Sequence, residues 1–429
     1  RFADASSHRT PVGFSGDTII SWDSLRFQPM FTATAANIGY FWWSNDIGGH
    51  MLGHSDDAMA ARWFQLGCFS PINRLHSSNS GFASKEPWRY SRDARATMEA
   101  HLRLRHRLVP YLYTWARRSV SEGVGPVRPV YHDHPREMAA YEHRGSFCFG
   151  DLLVVPFTSP LDEATGLGRE SAWLPDGVWY DLPTGRRYDA TTGGHGRMLS
   201  LSRPLDRIGV LARAGSVIPL TGNLTEAACD NPRELEIVVV PGGSGVFTLE
   251  EDDGSAEPGQ DRVARTRMAL TWPDTEDEDG GDVALRIRME GADDIVPSSR
   301  LVRVRLLAGR VKDALLGTAD KARRLVVEEV DGDGFTLGAG TLVHLGDLSR
   351  QELTDGVELV LRGARQAPAD WRSEVHTILD AARVAYPAKD RAWAAVERGM
   401  SGTALLGELE SLGLPEALRS AVAEVLPHS

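Results

Sequence analysis

The segment Gly13-Phe14-Ser15-Gly16-Asp17-Thr18-Ile19-Ile20-Ser21-Trp22-Asp23 sets a carboxylate on a tight Gly-Asp turn, where an apolar strand gives way to a helix. A carboxyl group held this way is suited to donating a proton. Two further clusters follow within about sixty residues. Trp42-Trp43-Ser44-Asn45-Asp46-Ile47-Gly48-Gly49-His50 and Ser70-Pro71-Ile72-Asn73-Arg74-Leu75-His76-Ser77-Ser78 add a second carboxylate, two histidines, an arginine and paired indoles.

The elements that must position these groups repeat every thirty residues or so. Each cluster closes an apolar run and precedes a helical pattern, the rhythm of βα units. The first helix is predicted from Trp22 to Ala36. The second has Ser55 as its cap, Asp56 and Asp57 in the first turn where the dipole favours anions, and Met59, Trp63 and Leu66 on one face. A third is predicted from about Arg92 to Trp115, with a stripe of Met98, Leu102, Val109, Leu112 and Ala116 and a kink at Pro110. Polar clusters at the C-terminal ends of successive parallel strands point to a (β/α) barrel and its active-site face.

At these residues the chain resembles glycoside hydrolase family 31, the retaining α-glucosidases and α-xylosidases. The likeness rests on Gly16-Asp17 with Trp22 following, the run Phe31 to Tyr40, the Trp-Trp-Ser-x-Asp-Ile-Gly-Gly-His block and Arg74-Leu75-His76. It continues through Phe149-Gly150-Asp151, the segment Trp173 to Asp181, Pro204-Leu205-Asp206-Arg207 and the segment Arg213 to Leu220, covering residues 1 to about 270. The fold it implies is mixed α/β and all-β: the C-terminal portion of a (β/α)8 TIM barrel, two β-sandwich domains and a small helical segment.

The resemblance makes Asp17 the general acid/base of a retaining α-glycoside hydrolase. It also implies substrate-binding roles for Arg1, Phe14, Trp43, Asp46 and His76. Arg1 stands at the spacing of an arginine that bonds the glycone, Asp46 matches a position that holds sugar hydroxyls, and His76 matches a glycone-binding histidine. Phe14 takes an aromatic wall position that is often Trp, and Trp43 is expected either to line the pocket or to pack in the barrel. Arg74 and His50 are expected to support rather than to contact the sugar. The substrate is expected to be an α-linked oligosaccharide or α-glycoside, cleaved by an α-glucosidase or, alternatively, an α-xylosidase.

Retention requires a second carboxylate as nucleophile. The family places it in a Trp-x-Asp segment well before the Gly-Asp motif, and sixteen residues precede Asp17 here. The chain begins with Arg1 rather than Met and is expected to hold about the last three of eight barrel strands. It is therefore expected to be a fragment, inactive by itself. A competing reading is a non-catalytic carbohydrate-binding or assembly protein built on the same fold.

The formal net charge of −12 over 429 residues offers no basic stripe for nucleic acid. No run of eighteen apolar residues supports a membrane span. Cys68, Cys148 and Cys229 are too few and too scattered for a disulfide framework or a zinc site, and are expected to be reduced and buried. Localisation is expected to be cytoplasmic. No cofactor or metal is called for, since carboxylates perform both steps.

Four units are expected: barrel 1–124, proximal β-sandwich 125–232, distal β-sandwich 233–365 and helical appendage 366–429. The acidic stretches Glu251 to Gly254 and Asp274 to Gly280 lack EF-hand spacing and read as solvated loops. His132-Asp133-His134 has the look of a metal pair, but the resemblance places it on a strand entering the sandwich. The last unit shows helical stripes through Trp371, Val375, Ile378 and Leu379, then Trp393 and Val396, Leu405 and Leu409, and Leu418, Val422 and Val425. Three or four helices result, either packed on the sandwich or serving as a docking or homo-oligomer surface.

Overall fold

The computed structural model describes residues 12–255, 262–273, 280–317 and 322–427. Two short parallel strands lie in the N-terminal part of the described residues. β1 (Val12–Phe14) pairs with β2 (Trp42–Ser44), with Phe14 opposite Ser44. The third strand expected from sequence is reduced to isolated parallel bridges, Ser44 to Ile72 and Ile47 to Leu75. Pro71 has no N–H for a ladder, which fits the lack of a continuous strand there.

Helix α1 (Trp22–Thr34) starts where the Ser21 hydroxyl accepts from the Ser24 N–H, and a 3-10 turn over Ala35–Ile38 ends it. α2 (Asp57–Cys68) is capped by Asp56 rather than Ser55. Asp56 Oδ1 accepts from the Met59 N–H, and its other oxygen takes the Trp22 indole N–H, locking the start of α2 to that of α1.

The single third helix expected from sequence is two, α3 (Arg92–Arg107) and α4 (Val109–Ser121), hinged at Leu108. Pro110 sits in the first turn of α4, where a missing N–H costs nothing, whereas inside a continuous helix it would clash with the preceding turn. The buried face runs through Met98, His101, Leu104, Leu108, Tyr111, Leu112 and Trp115, and Leu102 faces solvent.

The first β unit is a six-stranded antiparallel sheet including Val127–Pro129, Phe147–Phe149, Leu152–Val155 and Gly209–Arg213, with the antiparallel pair Gly168–Leu174 and Arg197–Arg203 as a separate two-stranded sheet. The segment expected as a strand at His132-Asp133-His134 is not one: His132 ends a 3-10 turn (Val130–His132), and Asp133 caps that turn and is bonded to Arg128. The second β unit has a five-stranded and a seven-stranded sheet. Val217–Thr221, grouped with the proximal unit from sequence, pairs with Glu234–Val239 at the edge of the five-stranded sheet.

The barrel segment is fastened to both β units. Arg62 of α2 donates to the backbone oxygens of Arg203, Pro204 and Arg207. Tyr111 of α4 stacks on Phe247, and Arg117 pairs with Glu250. One apolar core runs from Leu25 and Trp63 through Tyr111 into Phe247, Leu285 and Val304.

Glu251, read from sequence as solvated, is buried against Arg300 instead. Residues 274–279 of the other acidic stretch lie outside the described residues. Cys68 and Cys148 are buried, but Cys229 is exposed, contrary to expectation. Four helices close the chain, Trp371–Ala381, Tyr386–Glu397, Gly402–Ser411 and Glu416–Val425. They have their own apolar core and dock on the first β unit through Glu424, which accepts from Arg186, Tyr188 and the Ser202 N–H. No described helix is long and apolar enough to cross a membrane.

Candidate active site

Three chain reversals meet at the C-terminal ends of β1 and β2. Gly16 turns the first at φ +87°, a left-handed conformation that an L side chain would strain, and this delivers Asp17 to the surface with its side chain 58% exposed. The second reversal, Asp46 to His50, is fastened to the first by backbone bonds: the His50 and Met51 N–H groups both donate to the Thr18 oxygen, at 2.7 and 3.2 Å. The third brings His76 beside His50, their rings 4.5 Å apart and 18° from parallel. His50 Nε2 lies 3.9 Å from Asp17 Oδ2.

Behind this face, Asp46 is fully buried. Its Oδ1 accepts from Arg74 Nη2 at 2.8 Å and its Oδ2 from the Thr18 N–H at 3.1 Å. Arg74 also donates to the Ser44 hydroxyl and lies over the Phe14 ring at 4.9 Å. Asp46 thus joins all three reversals. With no exposed surface and with a donor on each oxygen, it is poorly placed either to bind sugar hydroxyls or to attack an anomeric carbon in this arrangement.

Trp43 is 8% exposed and packs edge-on against Phe31 at 4.9 Å, so it serves as barrel packing rather than as a pocket wall. Arg1 lies outside the described residues. His50, expected only to support the site, is brought against both Asp17 and His76. The signal in sequence was its place at the end of a Gly-Gly turn.

Asp17, Asp46, His50 and His76 each set one ligating atom within 4.8 Å of the others. The arrangement suits hydrogen bonding better than metal ligation. The two imidazoles are stacked, so their in-plane lone pairs run side by side instead of converging, and both Asp46 oxygens are engaged.

Residues 1–115 match the glycosyl hydrolases family 31 TIM-barrel domain, and residues 123–218 match the glycosyl hydrolase family 31 C-terminal domain. The chain belongs to glycoside hydrolase family 31. Among curated relatives, the α-xylosidase of Saccharolobus solfataricus is 30% identical over 286 residues, 65% of this chain and 37% of its own length. The lysosomal α-glucosidase of Bos taurus is 28% identical over 256 residues, 57% of this chain and 27% of its own. The chain therefore spans well under half the length of these relatives. Among solved family 31 structures, the α-xylosidase of Xanthomonas citri superposes with a TM-score of 0.58 at 26% identity, over 68% of this chain and 32% of that one. The dextranase of Flavobacterium johnsoniae gives 0.66 at 19% identity, over 82% and 44%, a likeness of fold.

Proposed function

We propose that this chain carries the acid/base half of a retaining α-glycosidase, an α-glucosidase or α-xylosidase acting on α-linked oligosaccharides. The observation that carries the reading is the exposed Asp17 carboxyl on its Gly16 turn, faced by His50 and backed by the buried Asp46–Arg74 pair.

In the first step the Asp17 carboxyl gives its proton to the glycosidic oxygen as the bond to the anomeric carbon breaks, and the aglycone leaves as a neutral alcohol. A second carboxylate attacks that carbon from the opposite face and forms the glycosyl ester. In the second step Asp17 takes a proton from water, whose oxygen displaces the ester. With Asp46 engaged on both oxygens, the attacking role is assigned to a carboxylate other than Asp46. His76 and Phe14 are assigned to the glycone, with Arg1 as a further hydrogen-bond donor to it. Asp46, assigned to sugar hydroxyls by resemblance, is better read as the group that fixes the Asp17 turn.

The test is Asp17→Asn in the protein at its full natural length, assayed on aryl α-glucosides, aryl α-xylosides and unactivated disaccharides. General acid catalysis contributes about 10²–10⁴-fold, so disaccharide turnover should fall by that factor while binding survives, and azide should restore turnover of the aryl substrates as glycosyl azide. Unchanged turnover would remove Asp17 from the mechanism. Sugar binding without hydrolysis by the natural protein would favour the non-catalytic binding reading.

A further inference from the structure

A cleft of about 680 Å³ opens beside the site, lined by Ile20, Gly48 and Ser78 from the same three reversals that carry Asp17, His50 and His76. Phe82, Lys85 and Trp88 also line it. Lys85 is 8% exposed. Its stem lies across Gly48, where a Cβ would fall 2.9 Å from Lys85 Cδ, so the glycine turn leaves room for the lysine.

No carboxylate among the described residues pairs with Lys85. Burial lowers its pKa, and no counter-charge offsets that effect. A lysine whose stem is buried and whose ammonium has no paired carboxylate is a favourable place for an anion. Asp56, the one carboxylate on the cleft wall, already has both oxygens bonded, to the Met59 N–H and the Trp22 indole. Arg89 adds a second cation, so the wall carries two positive groups against one engaged negative one, on a chain whose net charge is −12. Phe82 and Trp88 are both exposed, and an aromatic face is a surface on which a sugar ring can stack.

We infer that this cleft is an aglycone subsite for a sugar unit bearing an anionic group, a carboxylate or a phosphate, which Lys85 pairs with while Trp88 and Phe82 hold the ring. The subsite rests on the glycosidase reading for its purpose, but its binding chemistry is separable from turnover.

Glucose, glucuronate and glucose 6-phosphate are titrated into the protein by calorimetry at one ionic strength. Wild type should bind at least one of the anionic sugars roughly tenfold or more tighter than glucose, the scale of a charge-assisted hydrogen bond. Glucuronate and phosphate arms distinguish the two anion types. Lys85→Met should abolish the preference, Trp88→Ala should weaken all sugars together, and Asp17→Asn should leave the preference intact. Circular dichroism melts check that the variants fold, and Lys85→Arg, which keeps the charge, should retain the preference if Lys85→Met does not fold. Equal binding of glucose and both anions, no binding of any probe, or a preference that survives Lys85→Met each overturns the proposal. If the Lys85 results fail while Asp17→Asn still abolishes turnover, the subsite is wrong and the glycosidase reading stands; the converse outcome separates them the other way.

Discussion

Arg74 donates to one oxygen of Asp46 at 2.8 Å while the Thr18 N–H holds the other at 3.1 Å, so a buried carboxylate sits directly behind the turn that presents Asp17. Removing the guanidinium strands a buried negative charge. Breaking a fully buried pair from one side costs about 3–5 kcal/mol. Arg74 is partly exposed, and water can reach the vacated side.

Arg74→Ala should therefore cost roughly 2–3 kcal/mol in stability and loosen the Asp17 turn, lowering turnover more than sugar affinity. Denaturant melts together with kcat and KM on an aryl α-glycoside check both halves. Asp46→Asn should be milder, because an amide oxygen can still accept from Thr18 and the buried charge is gone. If Arg74→Ala and wild type turn over alike, the pair does not position Asp17.

His101 predicts a pH dependence away from the site. Burial, with a smaller contribution from Arg62, pushes it down to about 4, against which the Thr97 carbonyl works only partly. Its Nδ1 is 2.8 Å from the Thr97 oxygen, and its Nε2 is buried without a partner. The folded value lies below the ordinary value of about 6.5. The neutral ring is thus favoured by folding, and this contribution is complete above about pH 6.5 and lost as pH falls toward 4. The loss should be on the order of 3 kcal/mol across that window. Urea melts at pH 7 and pH 4.5 measure it, and His101→Phe should flatten the difference. An unchanged slope in His101→Phe would assign the acid sensitivity to other groups.

The chemistry of the site was legible because it is local. Gly16 before Asp17, and Gly48-Gly49 before His50, mark turns that only a few residue types accept, and a turn fixes where the next side chain points. The cap of α2 was misread by one residue, since Ser55 and Asp56 are both good caps and the choice falls to the Trp22 indole, which bonds Asp56 from thirty-four residues away. Leu102 was placed on the buried stripe by spacing, yet the face is set by what α3 packs against, and that face takes His101 and Leu104. Glu251 shows the same limit. An acidic run looks solvated until Arg300, forty-nine residues on, is folded against it. Lys85 gave no signal at all, because its burial depends on the Gly48 turn of a different βα unit.

Thiol chemistry should single out Cys229. Cys68 and Cys148 are buried, and burial pushes each up to about 12, with Arg105 and Arg128 opposing it only in part. The thiolate is the reactive form, so both should be inert near neutral pH. Mass spectrometry after maleimide treatment should find one adduct on the native protein, at Cys229, and three after denaturation. A native adduct on Cys68 would mean that α2 separates from the barrel core on the labelling timescale.

The C-terminal helices make the last prediction. Glu424 is almost fully buried, and although burial alone would raise its carboxyl, Arg203 and Arg186 outweigh that and hold it below the ordinary range. It bridges the final helix to four partners on the first β unit: Arg203, Arg186 at 2.7 Å, Tyr188 at 2.6 Å and the Ser202 N–H at 2.7 Å. Glu424→Ala should cost about 3–5 kcal/mol, because two arginines lose a shared buried partner. The loss should appear as undocking, since the helices keep an apolar core of their own. Limited proteolysis should then cut the connection around Ala367–Asp370 faster than in wild type, while the β units melt at nearly the wild-type temperature. Glu374→Ala, which removes the more exposed carboxylate on Arg186, should cost under about 1 kcal/mol. Equal cutting of wild type and Glu424→Ala would show that apolar contact with the sandwich, rather than the buried ion pairs, holds the helices in place.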